Sequence, residues 1–228
     1  MEVKNYIAAV AKNKCLSPDG NVFEETLKHL EFHKIVQRRL IGGQKMEFSA
    51  MMEIRRSCRS YQDKTVPREY LVKIAEAGRL TPSACNAQPW KFIVIDEPEA
   101  KRRLCDALVL ENGITTCPWR EQVPAFFVLC ERQVAMPDLV QKLYGDSQYY
   151  APGDIGAAAM NMCHQAMELG LGTCILGLNN QEKMSRYFGI PADCKARLVL
   201  AVGYSAEKNE APTKMRMSID EVCSFNHW

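Results

Sequence analysis

Two amide side chains interrupt the proline-bounded stretch TPSACNAQPW, residues 81–90. Pro82 and Pro89 fix the backbone on an extended path with little chain entropy left to lose. Asn86 and Gln88 each offer a hydrogen-bond donor and an acceptor. Such a pair suits a planar ligand whose edge alternates acceptors and donors, as the pyrimidine edge of a flavin does. The alternative is a loop whose amides satisfy its own backbone groups.

Cationic side chains cluster in two places that could bind an anion. The stretch RRSCRSY, residues 55–61, contains three arginines and two serines within six residues. Arginine offers phosphate a fork of donors, and serine adds a hydroxyl group. Lys214 and Arg216 lie at alternate positions and would point the same way in an extended segment. The alternatives are a solvated helix end for the first cluster and a solvated tail for the second.

A glycine-rich stretch, GLGTCILGL at residues 170–178, lacks the glycine spacing of the dinucleotide fingerprint. It brings Gly177 to the end of a short apolar run. A glycine at that point would let a flat ligand lie against the backbone, with main-chain N–H groups as donors. The alternative is a helix C-cap that leads into a strand.

Other catalytic chemistry is not indicated. No Ser/His/Asp or Cys/His arrangement suggests a nucleophile, so we predict no catalytic side chain. His29 and His33 have the spacing of a helical metal pair, but no further ligand pattern completes a site, and none of the 10 cysteines forms a C-x-x-C pair. We therefore predict no metal, and free thiols in a reducing, cytoplasmic compartment.

The bulk composition is that of a globular protein: 228 residues, 47% hydrophobic and 25% charged. A formal net charge of +2 gives no electrostatic reason to expect nucleic acid or an anionic membrane as partner. No segment approaches the roughly 18 apolar residues of a membrane-spanning helix. The N-terminus does not have the pattern of a secretory signal.

Three short apolar runs predict strands, at residues 91–96, 125–130 and 197–204. Because they are nearly continuous rather than alternating, we expect a sheet that is covered on both faces. Helices are predicted at about 46–57, 67–79 and 98–109, and from an N-cap at Asp154 to Gly170. The last helix is apolar all round, so we expect it to be buried. Helices and strands intermix, which indicates an α+β or α/β protein.

Five motifs in order along the chain resemble the FMN-dependent nitroreductase family. They are Arg-Arg-Ser-x-Arg-x-Tyr, Pro-Ser-x-x-Asn-x-Gln-Pro-Trp, Asp-x-Gly, Gly-Leu-Gly-Thr-Cys-x-x-Gly and Lys-x-Arg, and the resemblance covers about residues 52–222. It implies an α+β fold with a central mixed β-sheet flanked by helices, in an intertwined homodimer. Two FMN sites would lie at the interface, each built from both chains.

The resemblance also implies a role for each motif residue. The phosphate and the pyrimidine edge would be held by Arg55, Arg56, Ser57 and Arg59. The flavin would be lined, partly from the partner chain, by Pro82, Ser83, Asn86 and Gln88. Behind the ring would run Ile175, Leu176 and Gly177. Two further cations, Lys214 and Arg216, would close on the phosphate.

The implied activity is that of an FMN-dependent NAD(P)H oxidoreductase with ping-pong kinetics. NADH or NADPH would reduce FMN and leave, and a small acceptor such as a nitroaromatic or a quinone would take its place. The alternatives are another reaction on the same fold, such as reductive dehalogenation, enone reduction or flavin breakdown, and a flavin-binding protein without turnover.

Two segments lie outside the motifs. Residues 1–45 are predicted to form a helical extension that packs on the dimer, which leaves 46–228 as the FMN-binding domain. Residues 136–153 are polar and aromatic, and we predict that Tyr144, Tyr149 and Tyr150 border the substrate channel. The alternative for this segment is a surface helix and loop.

Overall fold

The computed structural model describes residues 48–206 and 214–228. The predicted N-terminal extension, including His29 and His33, therefore lies outside the described residues. The helices are α1 (Phe48–Ile54), α2 (Arg68–Arg79), α3 (Pro98–Ala107), α4 (Asp138–Tyr144), α5 (Ala151–Glu168), α6 (Gln181–Phe188) and α7 (Ile219–Val222). The strands are β1 (Trp90–Ile95), β2 (Ala125–Glu131), β3 (Gly172–Leu176) and β4 (Lys195–Gly203).

The four strands form one sheet in the order β1-β2-β4-β3, and each neighbouring pair is antiparallel. A parallel bridge between Ser57 and Thr173 extends the sheet beyond β3. The predicted α+β class is confirmed, and the parallel component of the predicted mixed sheet is this bridge. The three predicted strands are present as β1, β2 and β4.

Both faces of the sheet are covered, as the continuous apolar runs predicted. On one face, α2 and α5 pack against Phe127, Leu129 and Leu200. On the other face, the core contains Leu104 of α3 and Met184 of α6. Every residue of β2 is buried, which is why its sequence shows no alternation.

Helix α5 is buried along one face only, since Pro152, Gly153, Ala157 and Glu168 are exposed, and it begins earlier than expected. Tyr150 is its N-cap residue and Pro152 lies in its first turn, where a missing N–H group costs nothing. The prediction that Asp154 caps this helix is therefore wrong, because Asp154 lies inside the first turn. The helix ends as predicted at Gly170, which has a φ of 77°.

Candidate functional site

The first cationic cluster, residues 55–61, is a loop joined to the sheet, which we call the cationic loop. Helix α1 ends at Ile54, so the prediction that it continues to residue 57 is wrong. The chain leaves the helix because Ser57 pairs with Thr173, and the Cys58 N–H group donates to the Thr173 carbonyl at 2.8 Å. These arginines are thus not a solvated helix end.

Close packing fixes the cationic loop against the start of β3. A Cβ atom at Gly172 would lie 2.9 Å from both Cβ and Sγ of Cys58, so only glycine allows this approach. The Tyr61 hydroxyl group donates to the Cys58 carbonyl at 2.9 Å. Tyr61 is buried, and burial is the main reason that its pKa is raised.

The charges of the cationic loop act on the groups around them. Burial raises the pKa of the Cys174 thiol, while the nearby guanidinium groups of Arg59 and Arg55 oppose that rise. Burial lowers the pKa of His164 on α5, and the charge of Arg55 lowers it further. The loop therefore carries positive charge beside β3 and the C-terminal half of α5.

The structure brings the second cationic segment to the same place. The Lys214 ammonium group donates to the carbonyl of Met52 in α1, close to the start of the cationic loop. Arg216 is exposed, and its Nη1 atom donates to the carbonyl of its neighbour Met215 at 2.7 Å. Lys214 thus contacts the helix that leads into the cationic loop, while the Arg216 guanidinium group is exposed at the surface.

Residues 82–88, which we call the amide loop, have an unusual backbone. Three of them lie in the left-handed region: Cys85 at φ 51°, Asn86 at φ 53° and Gln88 at φ 50°. This region costs an L-residue about 1–2 kcal/mol, and such outliers are common at ligand-binding sites. The sequence alone suggests that Cys85 is a small packing residue, but the structure shows that it is exposed.

The two predicted amides lie side by side at the surface of this loop. Gln88 Nε2 donates to Asn86 Oδ1 at 3.4 Å, and the Ser83 hydroxyl oxygen accepts the Gln88 N–H group at 2.9 Å. Within the described ranges, Asn86 Nδ2 and Gln88 Oε1 make no further hydrogen bond. A donor and an acceptor therefore remain for a ligand.

The third predicted element lies at the end of β3. Leu176 is buried, Ile175 is half-buried and Gly177 is exposed just beyond the strand. A Cβ atom at Gly177 would meet nothing within 4 Å, in contrast to Gly172 at the other end of the same strand. The backbone of Gly177 therefore borders open space, as contact with a flat ligand requires.

The amide loop and the cationic loop contact different turns of α5. The amide loop contacts α5 at Asp154, whereas Arg55 acts on Cys163 and His164 of that helix. Nine residues separate Asp154 from Cys163, which is about 14 Å of α-helix. Within one chain, the residues predicted to bind the phosphate and those predicted to bind the pyrimidine edge therefore lie beside different turns of α5.

The three tyrosines of segment 136–153 form a cluster next to the amide loop. The Tyr144 and Tyr149 rings stack with their centroids 4.0 Å apart, and Tyr150 meets both rings edge to face. The Tyr150 hydroxyl group donates to the Tyr144 hydroxyl oxygen at 3.0 Å, which is the main cause of the raised pKa of Tyr150. Tyr150 also lines a small cavity with Ala87 and Pro89.

The sequence analysis missed the role of Asp154 in this region. Its two carboxylate oxygens accept the Ala84 N–H group at 3.3 Å and 3.2 Å, which ties the amide loop to α5. The sequence signal for it is the Asp-x-Gly motif of the family resemblance, whereas the residue pattern alone indicates only a helix cap at Asp154. Among the residues that the structure describes, no group of three or more potential metal ligands comes together.

The fold and these elements define an α+β protein that presents cations, amides and an open glycine backbone around its sheet. The sequence profile of the Nitroreductase family matches residues 52–204. The chain therefore belongs to the nitroreductase family, as its motifs predicted. No helix in the described part of the chain is long and apolar enough to cross a membrane.

Three relatives illustrate the range of names in this family. A protein of Methanothermobacter thermautotrophicus, whose name suggests an NADH dehydrogenase or NAD(P)H nitroreductase, is 29% identical over 72% of this chain and 80% of its own length. An FMN reductase [NAD(P)H] of Bacillus subtilis is 28% identical over 68% of this chain and 64% of its own. An iodotyrosine deiodinase of Haliscomenobacter hydrossis is 24% identical over 75% of this chain and 84% of its own length.

Solved structures confirm the fold. A nitroreductase family protein of Clostridium difficile 630 superposes with a TM-score of 0.68 at 26% identity, over 80% of this chain and all of that one. An oxidoreductase described as containing FMN gives a TM-score of 0.65 at 20% identity, over 82% of this chain and 95% of its own. The second likeness concerns the fold alone.

Proposed function

We propose that this chain is an FMN-dependent NAD(P)H oxidoreductase that transfers a hydride from a nicotinamide to a small acceptor in a ping-pong cycle. Membership of the nitroreductase family supports the proposal, as do the relative named FMN reductase [NAD(P)H] and the similar fold that contains FMN. The observation that carries it is the cationic loop, which is fixed to β3 by backbone pairing and by the Gly172 contact.

The donor chemistry of the described residues fits FMN. In the proposed site, the phosphate is held by Ser57, by the arginines of the cationic loop and by Lys214 and Arg216, because cationic and hydroxyl groups bind phosphate oxygens well. Asn86 and Gln88 present a donor and an acceptor to the pyrimidine edge. The backbone of Gly177 lies behind the ring, where the open space admits a flat group.

Bound FMN would supply the redox chemistry, since its ring can take a hydride from NAD(P)H and pass it to an acceptor. The residues of this chain bind and orient the reactants. We expect no side chain to act as a general acid or base. His164, on which the charge of Arg55 acts, packs edge to face on Phe48 with 5.3 Å between ring centroids.

A homodimer would bring the two separated regions into one site. Membership of the nitroreductase family supports this arrangement, in which the amide loop of one chain would face the cationic loop of its partner. The C-terminal segment also supports it, since Met215 is 91% exposed and Phe225 is 83% exposed. Burying such side chains contributes about 25 cal/mol per Å² to association.

Reductive dehalogenation is the second candidate. It is favoured by the relatives named iodotyrosine deiodinase and by the tyrosine cluster beside the amide loop. An aromatic acceptor could stack on these rings. A halogenated phenol therefore belongs among the acceptors in any assay.

Anaerobic reduction of the purified protein tests the proposed function. The protein is loaded with FMN and mixed with NADH or NADPH while the flavin absorbance is followed, and a nitroaromatic, a quinone or a halophenol is then added. We expect bleaching by one or both nicotinamides and reoxidation by the nitroaromatic or quinone. A protein that holds FMN but is not bleached would be a binder without turnover, and one that takes up no FMN would overturn the proposal.

A further inference from the structure

The amide loop holds a conformation that its own residues do not favour. Cys85, Asn86 and Gln88 all have positive φ values, although none of them is glycine. Such a backbone persists only when the surrounding structure fixes it. The contacts of this loop with the rest of the chain therefore determine where its amides point.

Few hydrogen bonds from the rest of the chain supply that support. Within the loop, the Gln88 N–H group donates to Ser83 Oγ at 2.9 Å. A short 3₁₀ turn adds two backbone bonds of 3.0 Å, from Asn86 N–H to the Ser83 carbonyl and from Ala87 N–H to the Ala84 carbonyl. From outside, Arg132 Nε donates to the Gln88 carbonyl at 3.3 Å at the end of the loop. At its start, the Asp154 carboxylate accepts the Ala84 N–H group with both oxygens.

Asp154 is the firmer of these two external anchors. It lies in the first turn of α5, a helix with one face buried in the core, where the helix dipole favours a negative charge. Arg132 is an exposed residue beyond the end of β2. Both hydrogen bonds involve a charged side chain, so the difference between the two anchors lies in the helix that holds Asp154.

We infer that Asp154 is a positioning residue for the flavin: it fixes the amide loop so that Asn86 and Gln88 present their free donor and acceptor in one orientation. Asp154 acts through the loop and does not itself contact the flavin. The inference rests on the proposed function, since it assumes that these amides meet a flavin edge. Tyr150, at the start of the same helical turn, adjoins the loop as well.

Three variants test this inference. Asp154→Ala removes the anchor, and Asp154→Asn keeps one oxygen acceptor without the charge. Asn112→Ala is the matched control, because Asn112 Oδ1 accepts the Ile114 N–H group at 3.2 Å in a loop that follows α3 on the other face of the sheet. The measurements are hydrogen exchange of the loop amides without FMN, the affinity for FMN and the absorption spectrum of bound FMN.

In Asp154→Ala we expect the Ala84 amide to exchange about tenfold faster or more, and FMN to bind about tenfold more weakly. The spectrum of the bound flavin should shift, because the hydrogen bonds at its polar edge change. Asp154→Asn should stay close to the wild type in exchange at Ala84, in affinity for FMN and in the flavin spectrum. Asn112→Ala should change exchange only near residue 114 and leave FMN binding and the spectrum unaltered.

The outcomes separate this inference from the proposed function. If the wild type binds FMN and Asp154→Ala binds it equally with the same spectrum, the positioning role is overturned and the function stands. Unchanged exchange at Ala84 would also overturn the role, whatever the flavin does. If the wild type takes up no FMN, the proposed function fails and the flavin-positioning role fails with it, even where exchange shows that Asp154 holds the loop.

Discussion

The cationic loop and the amide loop are attached to the protein in different ways. The cationic loop continues the sheet, through the bridge from Ser57 to Thr173 and the contact of Cys58 with Gly172. The amide loop lies outside the sheet, is held by one short 3₁₀ turn and a few side-chain hydrogen bonds, and has three residues in the left-handed region. Changes at the first should therefore affect folding together with binding, whereas changes at the second should affect binding alone.

Substitution of the two glycines near the ends of β3 should give the largest contrast in stability. Gly172→Ala should reduce the free energy of unfolding by about 3 kcal/mol, the upper part of the range for overpacking, because the new Cβ atom would lie 2.9 Å from Cys58. Gly177→Ala should leave stability unchanged, since its Cβ atom meets nothing within 4 Å, but it should weaken FMN binding. Urea unfolding and FMN titration of both variants provide the measurements.

The double variant Gly172→Ala/Cys58→Gly is the control for this contrast. Removing the Cys58 side chain should make the added alanine less costly than it is alone, which a double-mutant cycle would report as coupling. Equal loss of stability in Gly172→Ala and Gly177→Ala would contradict the idea that the cationic loop is locked by close packing.

An exposed cation two residues after Lys214 gives the second contrast. Arg216→Ala should weaken FMN binding by about 1.5–3 kcal/mol, the value of a hydrogen bond to a charged group. Stability should not change, because the side chain is exposed and bonds only to a neighbouring carbonyl within the described residues. Arg186→Ala is the matched control, since Arg186 pairs with Glu182 on the surface of α6. Equal FMN affinity in Arg216→Ala and the wild type would exclude a phosphate contact.

The sequence predicted the parts of this molecule that local pattern determines. β1, β2 and β4 were found because buried strands in a sheet covered on both faces give continuous apolar runs. The end of α1 was missed because Ser57 leaves the helix to pair with Thr173, a residue more than a hundred positions away. Local patterns carry no information about such a partner.

The candidate site also contains features that local sequence predicts and features that depend on distant partners. The residue types at Asn86, Gln88 and the arginines pointed to flavin-binding chemistry. The left-handed backbone was not predicted, because it is unusual for residues other than glycine. The anchor at Asp154 was missed since its partner, the Ala84 N–H group, is a backbone group of a distant loop.

The third prediction uses the cysteine that each loop contains. Cys58 is 2% exposed, whereas Cys85 is exposed at the tip of the amide loop. A maleimide should therefore modify Cys85 at least about tenfold faster than Cys58, because a buried thiol reacts only when the structure opens. Saturating FMN should slow the reaction at Cys85. Mass spectrometry of the peptides identifies the sites, and Cys85→Ser confirms the assignment.

Similar reaction rates at the two thiols would contradict the conclusion that the cationic loop is held more firmly than the amide loop. If FMN left the Cys85 rate unchanged while it bound to the protein, the amide loop would not line the bound flavin.

The smallest expected effect concerns the aromatic cluster beside the amide loop. Tyr149→Leu should lower kcat/KM for a nitroaromatic acceptor about 3–10-fold, since an aromatic pair contributes about 0.5–1.5 kcal/mol beyond its buried area. Tyr149→Leu should reduce ferricyanide, an acceptor without an aromatic ring, as fast as the wild type does. Tyr187→Leu is the matched control, because Tyr187 bonds to Asp106 at 2.6 Å on the other face of the sheet. If both acceptors slowed equally, Tyr149 would support the amide loop rather than bind the acceptor ring.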